Sequence, residues 1–171
     1  MDLQSKIRVV EDYPKPGISF KDVTTLLLDG EAYHETIEQF YNEMKDLDFD
    51  VIVGPEARGF LVGAPLSVRM KKGFVPIRKP GKLPAETISY EYELEYGTDV
   101  LEIHKDAIKP GQKVVIVDDL LATGGTIRAV VDLIEQLGGI VVKVGFIMEL
   151  DFLKGRELIG DKDIFSLVHY E

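Results

Sequence analysis

Residues 114–126 read VVIVDDLLATGGT, and this string constrains the fold more than any other part of the chain. Four consecutive β-branched residues, Val114, Val115, Ile116 and Val117, have no polar alternation, which is the pattern of a strand covered on both faces. Two acids follow, Asp118 and Asp119, then a turn of small residues, and then Ile127, Val130, Val131, Ile134 and Leu137 at helical spacing. Gly138 and Gly139 stop that helix as a C-terminal cap does, and residues 140–148 form a second apolar strand. Strand, turn, helix, strand is the repeating unit of an α/β sheet that is mainly parallel.

The turn carries chemistry as well as topology. In open α/β sheets ligands sit at the carboxyl ends of strands. Thr123, Gly124, Gly125 and Thr126 place free backbone N–H groups at a helix N-terminus, where the dipole favours an anion. With Ala122 they make a cradle for a monophosphate. The string lacks the lysine of a P-loop and the G-x-G-x-x-G of a dinucleotide fingerprint. Asp118 and Asp119 suit the vicinal hydroxyls of a ribose, so the pair and the cradle together point to a sugar phosphate. A lone Asp at a strand end followed by a capping Thr would be ordinary structure; the whole string in order is not.

The chain has 171 residues, the size of one ordinary domain. It has no cysteine, which excludes a disulfide framework, a thiolate metal site and a cysteine nucleophile. The net charge of −10 argues against a nucleic-acid partner, which would need positive charge to neutralise phosphates. The first residues lack a signal-peptide pattern, and no apolar run approaches the roughly 18 residues that span a bilayer, so a cytoplasmic protein with no membrane partner is expected. His34, His104 and His169 are scattered and form no metal pattern.

Elsewhere, Tyr33, Ile37, Phe40, Tyr41, Met44 and Leu47 share one face of a helix over 31–47. Val51, Ile52 and Val53 form a short strand ending at Gly54-Pro55. A helix follows over about 58–70, with Pro65 predicting a kink or a late start. Residues 74–77 read as a strand. Residues 13–25 read as an ordered loop, and 79–104, long, polar and rich in turn residues, as a functional loop or lid.

The string at 114–126 resembles the phosphoribosyl pyrophosphate (PRPP) motif of type I phosphoribosyltransferases. Further segments resemble the adenine phosphoribosyltransferases among them: DYPKPGISFKD (12–22), GPEARGF (54–60), RKPGKLP (78–84), LEYG (94–97), LKGR (153–156) and HYE (169–171). The matches run nearly the length of the chain in order. The resemblance implies a type I phosphoribosyltransferase fold over 1–171: a central parallel sheet flanked by helices, an N-terminal hood at about 1–30 and a flexible catalytic loop at about 79–104. It also implies transfer of the phosphoribosyl group from PRPP to adenine, with AMP and pyrophosphate as products.

Site roles follow from the same resemblance. Ile18, Phe20 and Lys21 belong to the hood over the base. Phe20 offers a flat face for stacking a purine, although a phenylalanine under a loop is equally often plain core. Many relatives carry arginine where Lys21 stands. Arg58 clamps pyrophosphate through its guanidinium, where without the motif a surface ion pair would be the plainer reading. Arg78, Lys79 and Lys82 capture pyrophosphate and, in relatives, reach a neighbouring subunit, which implies a homodimer. The Glu56–Ala57 peptide is expected to be cis. Glu95 lies near N7 of the base as an acid or hydrogen-bond partner, and Tyr96 helps close the site. Mg²⁺ is expected to ride mainly on PRPP and water, with no direct protein ligand. The rivals are the same reaction on hypoxanthine, guanine or xanthine, and a PRPP-sensing regulator that binds nucleic acid.

Overall fold

A computed structural model of the chain describes residues 1–93 and 97–171. Its centre is a five-stranded parallel sheet. In chain order these strands are β3 (Val51–Pro55), β4 (Gly73–Ile77), β7 (Lys113–Leu121), β8 (Ile140–Leu150) and β9 (Ile164–Tyr170). Across the sheet they run β4-β3-β7-β8-β9, every neighbouring pair parallel. The run at 114–117 lies in the middle, and all four of its side chains are fully buried.

Alternation within the central strands sorts the core into two layers. Val53, Val114 and Ile116 pack against α4 (Gly125–Gln136) through Ile127, Val130, Val131 and Ile134. Ile52, Val115 and Val117 face the other way, onto α2 (Gly30–Met44) and α3 (Gly59–Met70) through Ile37, Phe40, Met44, Val62 and Leu66. Helix α2 starts at Asp29, whose carboxylate accepts from the N–H groups of Glu31 and Ala32 at 3.1 Å each. It ends at Met44, a turn short of the range its apolar pattern suggests.

Helix α3 runs through Pro65 and begins beside Arg58, so the proline sits inside the helix rather than delaying its start. Proline has no N–H for the carbonyl four residues back, which is that of Leu61. The Tyr33 hydroxyl of α2 donates to that same carbonyl and replaces the missing bond. Glycines let α3 ride close to the sheet. A Cβ on Gly59 would stand 2.8 Å from Pro55 and 3.2 Å from a carboxylate oxygen of Asp118, and one on Gly63 would strike the Phe74 ring.

Two segments differ from the sequence expectation. Most of 79–104, expected as a loop, is an antiparallel ribbon of β5 (Thr87–Glu93) and β6 (Thr98–His104), paired from Thr87↔His104 to Glu93↔Thr98. Its inner face, Ile88, Tyr90, Tyr92, Leu101 and Ile103, covers the α4 layer of the core. The alternation Ile88-Ser89-Tyr90-Glu91-Tyr92 was the signal for it; the abundance of charge on the outer face disguised it. The N-terminal segment holds a second ribbon, β1 (Arg8–Val10) with β2 (Phe20–Asp22), and then α1 (Thr24–Leu28), so the ordered loop there is confined to the residues between these strands. Within that loop Tyr13 N–H donates to the Ile18 carbonyl at 3.1 Å. A short helix, α5 (Gly155–Ile159), lies between β8 and β9. No helix among the described residues is long and apolar enough to cross a membrane.

Candidate active site

Strands β3 and β7 are parallel neighbours, so the segments leaving their carboxyl ends lie side by side. Residues 56–58, after β3, and 118–127, at and beyond the end of β7, line one cleft of about 310 Å³. Asp118, Asp119, Ala122, Thr123, Gly124, Gly125, Thr126 and Arg58, eight residues singled out from sequence, all border it.

The floor of the cleft is the start of α4. Gly124 occupies the cap position at φ 89°, and no side chain caps the helix. The first N–H groups of α4 therefore have no side-chain acceptor and border the cleft, as an anion site requires. The two glycines have different reasons to be glycine. A Cβ on Gly124 would lie 2.5 Å from the carbonyl oxygen of Gly155, and its φ is left-handed. A Cβ on Gly125 would meet nothing closer than 3.9 Å, and its φ lies outside the left-handed range. Gly124 is thus fixed by contact with α5, whereas the space beside Gly125 is open.

Asp119 is buried, and its Oδ2 accepts from Arg58 Nε at 2.6 Å. The Asp119 N–H donates to Asp118 Oδ1 at 2.8 Å. Asp118 is half-buried at the cleft wall. Burial and the adjacent Asp119 push its carboxyl well above the usual range, against the opposing pull of the Asp119 N–H and Arg58. Glu56, on the other lip, accepts from the Lys79 N–H at 2.8 Å and from Arg78 Nε at 3.2 Å. The Lys79 N–H foremost, then Arg78, hold its carboxyl below the usual range against the cost of burial. The Glu56–Ala57 peptide is cis, as the resemblance implied.

The comparisons with known proteins agree with this geometry. Residues 24–169 match the family model of the phosphoribosyl transferase domain. The chain belongs to the phosphoribosyltransferase family. It is 64% identical over 170 residues to an adenine phosphoribosyltransferase of Alkaliphilus metalliredigens, covering 99% of this chain and 100% of that one. It is 61% identical to that of Alkaliphilus oremlandii, over 100% of this chain and 99% of the relative. The crystal structure of adenine phosphoribosyltransferase from Thermoanaerobacter pseudethanolicus superposes with a TM-score of 0.95 at 58% identity, over 99% and 98% of the two chains. The fold expected from sequence, an α/β phosphoribosyltransferase with a parallel central sheet, is the fold observed.

Other phosphoribosyltransferase residues named from sequence fall outside the cleft lining. Arg78 and Lys79 stand behind Glu56; Lys79 pairs with Asp99, and Lys82 is exposed. Ile18 and Lys21 border a second cavity, of about 650 Å³, at the carboxyl ends of β8 and β9, with Ser19, Leu150, Phe152, His169 and Tyr170. Lys21 donates to Ser19 Oγ at 2.8 Å, and its ammonium lies 4.6 Å from the centre of the Tyr170 ring. The Phe20 ring packs edge-on to Tyr13 at 5.3 Å. Glu95 and Tyr96 lie outside the described residues. Sequence reasoning gave no role to Leu120, Leu121 and Ile127 on the cleft wall, or to Leu150 and Phe152 on the second cavity. Apolar wall residues carry no sequence mark beyond their neighbours.

His169 proves less isolated than its place in the sequence suggests. Its Nδ1 lies 2.8 Å from Asp151, and Glu149 completes a set whose ligand atoms lie within 4.8 Å of one another. Arg156 already engages both Glu149 oxygens, Nε to Oε2 at 2.9 Å and Nη2 to Oε1 at 2.9 Å. A cation there would face a guanidinium.

Proposed function

We propose that the cleft performs the reaction of an adenine phosphoribosyltransferase: the ribose C1′ bond to pyrophosphate breaks, a bond from C1′ to adenine N9 forms, and the N9 proton leaves. The observation that carries the reading is the open N-terminus of α4 in the same cleft as two acids at the end of β7, with Arg58 reaching Asp119 from the turn after the neighbouring strand. In this reading the N–H groups and hydroxyls from Ala122 to Thr126 hold the 5′-phosphate, and Asp118 and Asp119 accept hydrogen bonds from the ribose hydroxyls.

Arg58 has half of its side chain open to solvent and can turn to the pyrophosphate, provided that the ribose diol takes its place on the buried Asp119 carboxylate. It then stabilises charge developing on the leaving group. Asp119, released from Arg58, is free for the diol. Ile18, Phe20 and Lys21 cover the base, and Glu95 and Tyr96 complete the site on the adenine side. Segment 79–104 is proposed to shield the reacting carbon from water.

The donor set fits a hard divalent cation carried by the substrate. Asp119 and Glu56 are each engaged by a guanidinium, which leaves too few oxygens for an all-protein cage. Mg²⁺ bound through PRPP and water would neutralise pyrophosphate charge. The working unit is proposed to be a homodimer in the cytoplasm. Arg78, Lys79 and Lys82 stand outside the lining of their own cleft, as residues serving a neighbouring copy would.

Incubation with adenine, PRPP and Mg²⁺ should yield AMP and pyrophosphate in equal amounts. Asp119→Ala should nearly abolish turnover; a variant with wild-type rates would remove the ribose assignment. Sedimentation of the chain as a monomer at assay concentration would remove the homodimer.

A further inference from the structure

The hydroxyl of Tyr92, on β5, lies 3.4 Å from Thr126 Oγ1 and 3.4 Å from Asp99 Oδ2. Its ring stands 3.9 Å from the position a Cβ would take on Gly125. Asp99 in turn pairs with Lys79. A single line of contacts therefore runs from the basic segment, across the β5–β6 ribbon, into the phosphate cradle. Nothing in the functional reading so far uses Tyr92.

Proton counting gives this line a direction. Lys79 foremost keeps the Asp99 carboxyl below the usual range, so Asp99 is ionised and can only accept. A phenol has one proton. While Tyr92 donates to Asp99, its contact with Thr126 survives only if Thr126 donates to the phenol oxygen. The Thr126 proton then points away from the cradle. For Thr126 to donate to a phosphate and keep its contact with the phenol, the phenol proton must turn from Asp99 to Thr126 Oγ1. Both contacts are longer than the usual hydroxyl bond of about 2.8 Å, so neither arrangement is locked. Once turned, the phenol supports the threonine at its best angle for a bound phosphate and polarises its hydroxyl.

We infer that Tyr92 is a positioning residue for the 5′-phosphate of the substrate: it aims the Thr126 hydroxyl into the cradle and ties the β5–β6 ribbon to occupancy of that cradle. The inference rests on the cleft being the PRPP site.

Tyr92→Phe keeps the ring over Gly125 and removes only the hydroxyl. It should raise KM for PRPP by about three- to tenfold, the scale of one neutral hydrogen bond. The value of kcat and the KM for adenine should stay within about twofold, and the urea midpoint should match wild type. Thr126→Ala should raise KM for PRPP at least as much. The double variant should be no worse than Thr126→Ala alone, because the phenol acts only through that hydroxyl. Calorimetric titration with ribose 5-phosphate should give the same ordering without turnover. Wild-type KM in Tyr92→Phe, or losses that multiply in the double variant, overturns the inference. A wild-type chain that makes no AMP defeats the functional reading itself, which is a separate result.

Discussion

The two cradle glycines make opposite predictions, because one is confined by the protein and the other faces open space. In Gly124→Ala the new methyl group lies 2.5 Å from the Gly155 carbonyl oxygen and 3.3 Å from that residue's Cα and carbonyl carbon, all main chain. An L-residue at left-handed φ costs about 1–2 kcal/mol, and forcing extra volume into a closed backbone contact adds about 1–3 kcal/mol. The expected destabilisation is about 2–5 kcal/mol. In Gly125→Ala the nearest atoms are 3.9 Å away and φ is unstrained. Alanine inside a helix is favoured over glycine by up to about 1 kcal/mol, so stability should hold or rise. Its cost should appear only with substrate, as KM for PRPP rising about ten- to a hundredfold for one charge-assisted N–H bond of roughly 1.5–3 kcal/mol denied to the phosphate. Urea unfolding and initial rates at saturating adenine measure both variants. A Gly124→Ala protein as stable as wild type would refute the packing argument. Unchanged PRPP kinetics in Gly125→Ala would refute the placement of the phosphate.

Three further outcomes follow from the charges. The Asp118 carboxyl is raised in the folded state, so the folded chain keeps a proton that the unfolded chain loses near pH 4, and stability falls as pH rises from there towards the raised value; Asp118→Asn should therefore gain stability over wild type by a margin that widens as pH rises above 4 in urea midpoints. Asp22 has the opposite sign: the Thr24 hydroxyl, Arg8 and the Thr24 N–H lower its carboxyl to about 2, so its contribution is present above pH 4 and is lost as pH falls through about 2, and Asp22→Asn should be less stable than wild type at pH 6 but not at pH 2. Arg156→Ala strands the buried Glu149 carboxylate and should cost about 3 kcal/mol in chemical denaturation, most of it recovered when Glu149→Gln is added.

The strand, turn and helix from 113 to 136 were legible because each part is local: an unbroken apolar run, small residues, then a helical repeat. Residues 56–58 were legible as a loop after a strand, but not their closeness to Asp119. The 2.6 Å pair of Arg58 with Asp119 spans sixty-one positions and depends on β3 and β7 being neighbours, which no local pattern encodes. The ribbon of 87–93 with 98–104 is hard to read from sequence although its inner residues alternate, because the acids of its outer face give the segment the composition of a loop. That Ile18 and Lys21 face a cavity at the ends of β8 and β9, rather than the phosphate cleft, follows from how the β1–β2 ribbon folds over strands far along the chain.

The bare hydrogen at Gly59 has a consequence for the whole cleft. It lets the first turn of α3 rest against Pro55 and an Asp118 oxygen without a spacer, so the gap between the two lips is set by an atom that is not there. A single methyl at that point would lift the helix, and Arg58 with it, by a sizeable part of an ångström. The 2.6 Å bond from the arginine to Asp119 would then lengthen and weaken, with no change to any polar group in the site. The width of such a cleft is thus inherited through its smallest residue, and a search for its determinants confined to charged side chains would pass over the one that sets the scale.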